Sequence, residues 1–159
     1  MELKHGLISA DDHVQEHPEV WTSRMSHAKW GDRIPHLAHM DDGSEEWMIE
    51  GWRIPFQGVA LAGAAMAERG QEPKRWSEVP RAVFSPAERL TTMDIDGIDY
   101  SVLYPSVSGV AGQNFGNVVD PDFEIACVQV YNDWLIEEWA GASPRFVPQC
   151  IVPVWPMDR

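Results

Sequence analysis

A chain of 159 residues, 44% of them hydrophobic, is long enough for one domain with a substantial core and too apolar to be disordered. Its 25 acidic residues against 12 basic ones give a formal charge of −13, which argues against a nucleic-acid partner and an anionic membrane surface, since both need clustered Lys and Arg. No apolar run reaches the length of a membrane span and the opening MELKHGLIS lacks a signal-peptide core, so a cytoplasmic protein with no membrane partner is expected.

Residues 7–14, LISADDHV, start apolar and end polar, as a short strand does when its end carries chemistry. Side chains two apart share a strand face, so Asp11 and His13 point one way and Asp12 the other. His17-Pro18 then ends the strand, because proline cannot donate to the ladder. Packing gives no reason to crowd Asp11, Asp12, His13, Glu16 and His17 together, whereas carboxylates beside an imidazole form a donor set for a divalent metal. Glu16 can fold back as a third oxygen donor or support the imidazole from behind.

Residues 19–46 read as irregular, anchored by Trp21, Trp30, Ile34 and Leu37, with turn chemistry in DDGSEE at 41–46. Residues 46–55, EWMIEGWRIP, read as a β-hairpin in which Gly51 supplies the positive φ. The Gly-, Ala- and Pro-rich residues 56–80 read as a long excursion with one helical turn.

A helix is predicted after Ser85 as N-cap, with Pro86 at its first position and Glu88 completing a capping box. Leu90, Met93 and Ile95 form its apolar side and Gly97 ends it. A strand over 98–105, IDYSVLYP, follows. The pattern then repeats: Asp120-Pro121 opens an amphipathic helix with Ile125, Val128, Tyr131, Leu135 and Trp139 inward, Gly141 ends it, and residues 145–155 begin a third strand. Strands alternating with helices predict a parallel α/β fold. Cys127 and Cys150 are expected as buried thiols and not as a disulfide or metal pair. The eight tryptophans are expected to fill a core or a subunit interface.

The segments ISADDHVQEHPEVW, RLTTMDIDGIDYSVLYPS and YNDWLIEEW…SPRFVPQCIVPVWPMD, in that order and with the hairpin WMIEGWRIP after the first, resemble the amidohydrolase-related enzymes that include aminocarboxymuconate-semialdehyde decarboxylase and its relatives. The resemblance covers nearly the whole chain. It implies an α/β fold of the (β/α)8 TIM-barrel type seen in metal-dependent hydrolases, with about the first three strands present in residues 1–159, a single partial domain, and an insertion at about 22–80 that contains the hairpin. It also implies a divalent metal at the C-terminal strand ends, zinc first and manganese or iron as alternatives. Many members open with His-x-His on the first strand. Asp11 and His13 occupy the matching positions here, as in a branch opening Asp-x-His-x-x-Glu, so the expected ligands are Asp11, His13 and Glu16, with either Asp11 or Glu16 as the carboxylate.

Tyr104, at the end of the second strand, is the candidate substrate contact. No catalytic acid, base or nucleophile is identifiable. Nothing near Ser106 in sequence activates it, His17 is expected to orient its turn, and His27, His36 and His39 are expected to be structural or solvent-facing. GQNFGN at 112–117 lacks the glycine spacing and lysine of a phosphate loop. The family's later ligands, a histidine on a middle strand and an aspartate on the last, have no counterpart, since all six histidines lie within the first 39 residues. The expectation is the front portion of a metal-dependent hydrolase or decarboxylase for a small carboxylated, often aromatic, substrate, inactive alone. The competing expectation is a non-catalytic fragment that self-associates as a homo-oligomer.

Overall fold

The computed structural model describes residues 3–56, 58–61, 72–110 and 112–153. In chain order these form β1 (Ile8–Val14), two single-turn helices α1 (Glu19–Thr22) and α2 (His27–Trp30), strands β2 (His36–His39), β3 (Glu45–Ile49) and β4 (Trp52–Pro55), helix α3 (Pro86–Asp96), β5 (Tyr100–Pro105), helix α4 (Pro121–Trp134) and β6 (Phe146–Pro148). The strands make two sheets. One is parallel in the order β1-β5-β6, and the other is antiparallel in the order β2-β3-β4. This is an α/β architecture with a separate antiparallel sheet.

The hairpin turn places both Glu50 (φ 47°) and Gly51 (φ 85°) in the left-handed region, so the glycine does not bear the turn alone. Arg33 holds the Glu50 carboxylate through Nε at 2.9 Å. Residues 19–46 are more ordered than their composition suggests. β2 pairs with β3, setting Leu37 opposite Trp47. Within the expected excursion, residues 58–61 form a 3₁₀ turn, while residues 57 and 62–71 lie outside the described residues.

Aromatic packing joins the two sheets. Trp21 meets Trp47 and Phe115 edge-on at 5.6 and 5.7 Å between ring centroids, and its indole N–H donates to the Cys127 carbonyl in α4 at 3.0 Å. Among the described residues Trp21, Trp30, Trp47, Trp134 and Trp139 are buried, whereas Trp52 is exposed on the hairpin. Cys127 is buried as expected but Cys150 is exposed, and both are free thiols.

Helix α3 begins at Pro86 as predicted, yet no capping box forms. The Ser85 amide donates to the Arg81 carbonyl at 2.8 Å, so Glu88 has no N-cap amide to receive, and its carboxylate lies 3.7 Å from Arg81. The inward face is Arg89, Thr92 and Met93, while Ile95 points to solvent. Gly97 closes the helix at φ 69°, and a Cβ there would meet only the His5 ring at 3.7 Å. Space is not the constraint, so Gly97→Ala is expected to lower stability by about 1 kcal/mol through backbone strain alone, read as a lower urea midpoint at unchanged m-value.

Helix α4 is capped by the Asp120 carboxylate, which accepts from the amides of Asp122 and Phe123. The expected single helix to Trp139 instead widens into a π turn over Leu135–Ala140, which keeps Leu135 and Trp139 buried. Gly141 ends it without a left-handed residue. A Cβ there would sit 2.7 Å from the Glu137 carbonyl oxygen, so glycine answers a close approach. The third strand is three residues long, not the expected 145–155. Proline at 148 removes a ladder donor, and the Asn132 side-chain amide pairs with both backbone groups of Ile151 at 2.8 and 2.9 Å. No described helix is long and apolar enough to cross a membrane.

Candidate metal centre

The end of β1 is shaped by a bulge. Ser9 pairs with Ser101 and Asp12 with Leu103, so three steps on β1 oppose two on β5. Beyond the bulge the register is regular, with His13 opposite Tyr104 and Val14 opposite Pro105. Asp11 lies in the bulged stretch with its side chain 87% exposed, and His13 is buried.

One hydrogen bond decides what His13 can do. Its Nδ1 lies 2.9 Å from the Pro105 carbonyl oxygen, which can only accept, so Nδ1 carries the proton of the neutral ring. The lone pair is then on Nε2, which faces Asp11 Oδ1 at 3.9 Å. Two acceptor atoms facing each other at that distance make no hydrogen bond. Two donors to one ion at about 2.1 Å sit roughly 3–3.5 Å apart, somewhat closer than this pair, whose Asp11 side chain is exposed. Asp11 and His13 are thus candidates for two ligands of one divalent cation. The Tyr104 ring lies 6.1 Å from the His13 ring and is half-buried, so it borders the same space.

Glu16 behaves differently from the expected third ligand. It is fully buried, and its carboxylate accepts from the amides of Val107 at 3.0 Å and Ser106 at 3.3 Å. Burial raises this carboxyl from its usual 4.5 to about 7, against the pull of those amides. Among the described residues no three His, Cys, Asp or Glu side chains form a group that could hold a metal ion. The arrangement thus brings Asp11 and His13 together and ties Glu16 to the turn after β5.

Asp12 turns to the other side of β1, as alternation requires. It accepts a short hydrogen bond from Ser101 Oγ and lies 3.7 Å from the Arg89 guanidinium. Arg89 is buried, donating through Nη2 to the His13 carbonyl and through Nε to the Ala82 carbonyl, each at 2.6 Å. Burial pushes its guanidinium down to about 10, opposed by Asp12, so it stays charged at neutral pH. Arg89 fixes the backbone that presents His13. A hydropathy pattern cannot find it, because it reads arginine as outward. His17 accepts from the Glu19 amide at 3.3 Å and meets Trp76 edge-on at 5.2 Å, which suits a turn-orienting role.

No protein-family model and no curated protein matches the sequence. Among solved structures, an amidohydrolase from Mycobacterium avium subsp. paratuberculosis K-10 is similar with a TM-score of 0.63 and 21% identity, over 95% of this chain and 44% of that one. The chain spans less than half the length of that structure. What is shared at this identity is architecture: the chain has an amidohydrolase-like fold.

Proposed function

We propose that the chain carries the opening part of a metal-dependent hydrolase or decarboxylase barrel, a single partial domain with its insertion at about 22–80, in which Asp11 and His13 are two ligands of a divalent cation. The observation that carries this reading is the Nδ1 hydrogen bond of His13 to Pro105, which leaves the lone pair on Nε2, the ring nitrogen 3.9 Å from Asp11 Oδ1. Imidazole with carboxylate suits zinc first and manganese or iron next. Such a cation, when bound, supplies Lewis acidity and a water of lowered pKa. The chain's own residues do the holding: Pro105 fixes the tautomer, Arg89 fixes the strand backbone, and Tyr104 borders the space a small carboxylated, aromatic substrate would enter.

Hydrolysis is favoured by the description of the solved neighbour as an amidohydrolase, and decarboxylation by the resemblance of the three strand segments. Two donors are fewer than the three protein ligands of a catalytic zinc site, so weak binding is expected of this chain. Calorimetric titration with Zn²⁺ tests it. The wild-type chain should bind about one equivalent, and Asp11→Ala and His13→Ala should each weaken binding at least about tenfold. Equal affinity in all three proteins would remove the basis of the assignment.

A further inference from the structure

A small cavity lies where the residues after β1, the β3–β4 hairpin and the turn after β5 meet. It offers about 10 Å³, and Gln15, Trp47 and Ser106 line it together with the apolar Ile54, Phe56 and Val107. That is room for one water-sized group. All three polar lining residues bring a buried atom with no hydrogen-bond partner among the described residues: Gln15 Nε2, Trp47 Nε1 and Ser106 Oγ. Amide and indole N–H groups only donate, and a hydroxyl does either. Each such group without a partner carries an unrecovered desolvation penalty, so an occupant that accepts from all three is favoured.

The chemistry of the lining calls for an occupant that accepts hydrogen bonds. Two obligate donors repel a cation and reject a ligand that can only donate. The volume admits a single oxygen, with the rest of its molecule outside. The Glu16 carboxylate, next in sequence to Gln15, is already engaged by the amides of Ser106 and Val107. In sequence the cavity adjoins the proposed metal pair. Gln15 follows His13 by two residues, and Ser106 directly follows Pro105, whose carbonyl orients His13.

We propose that this cavity is a subsite for one carboxylate oxygen of the substrate, held by Gln15 Nε2–H, Trp47 Nε1–H and Ser106 Oγ–H. Fixed neutral N–H donors in a water-poor site bind anionic oxygen well, so a chain of net charge −13 needs no lysine or arginine there. The subsite deepens the metal-dependent reading and rests on it for the identity of the bound molecule, but the contact itself does not require a metal.

The test is an NMR titration of the 159-residue chain with sodium formate, without added metal, following the indole ¹H–¹⁵N resonance that Trp47→Phe removes. Formate should shift that resonance saturably in the wild type and equally in Asp11→Ala. Gln15→Leu should weaken the apparent affinity at least about tenfold, and Ser106→Ala, a milder change that leaves the Trp47 probe in place, should weaken it severalfold. An indole resonance that formate does not move overturns the proposal, as does unchanged affinity in both Gln15→Leu and Ser106→Ala. A long-lived water contact at the Trp47 N–H that persists at saturating formate also overturns it, assigning the cavity to a structural water. Loss of Zn²⁺ binding as a premise, with formate still bound, would overturn the metal reading alone and leave the carboxylate contact supported.

Discussion

Arg89→Ala is expected to cost about 3–5 kcal/mol of folding stability, a large part of the roughly 5–15 kcal/mol that keeps a domain folded. The guanidinium sits among acceptors from three segments: the Ala82 carbonyl before α3, the His13 carbonyl in β1, and the Asp12 carboxylate. Truncation leaves those carbonyls without their donor and leaves the buried Asp12 carboxylate without its cation, held by Ser101 Oγ. It also removes the contact with the Trp139 ring, 5.7 Å from the guanidinium carbon. Arg89→Lys should recover only a fraction, because one ammonium cannot span the planar fork of donors. Adding Asp12→Asn to Arg89→Ala should restore part of the loss, since it removes the stranded charge. Urea unfolding of the four proteins measures all of this. A loss below about 1 kcal/mol for Arg89→Ala would mean that the guanidinium is not what holds β1 against α3.

The second large effect is a pH dependence that runs opposite to that of most carboxylates. Glu16 has its folded pKa raised from 4.5 to about 7 by burial, so the folded state binds this proton more tightly than the unfolded state does. Its favourable contribution is fully present below pH 4.5 and is lost as pH rises to 7, with no further change above. The difference amounts to about 3 kcal/mol. The stability of the wild-type chain should fall across that window by this amount relative to Glu16→Gln, whose amide does not titrate. Near pH 4.5 the two proteins should be similarly stable, because a protonated carboxyl and a carboxamide are both neutral, and near pH 8 the variant should be the more stable. Parallel pH profiles would show that Glu16 is not buried as a titrating carboxyl.

Much of this architecture is written locally. Pro86 and Gly97 mark the ends of α3, Asp120-Pro121 opens α4, and Glu50-Gly51 turns the hairpin, each by backbone chemistry that needs no distant partner. The approach of Asp11 to His13 is not legible from their spacing alone, because Asp11 lies in the bulge, which interrupts the alternation. What escapes the sequence depends on long-range partners. β2 is four residues, HLAH, with no alternating pattern, and only pairing with β3 makes it a strand. The capping box fails because Arg81 takes the Ser85 amide first. Arg89 faces inward because three acceptors wait there. Glu16 comes after the strand has ended, where alternation no longer says which way a side chain points, and the amides of residues 106 and 107 settle its direction.

The most direct measurement of the metal assignment is long-range ¹H–¹⁵N NMR of the histidine rings as Zn²⁺ is added. His13 should show a protonated Nδ1 throughout, and its Nε2 resonance should move to a metal-bound position in the wild type but not in Asp11→Ala. Binding reported at His13 Nδ1, or at any of His5, His17, His27, His36 and His39 while His13 Nε2 stays unmoved, would contradict a cation held between Asp11 and His13.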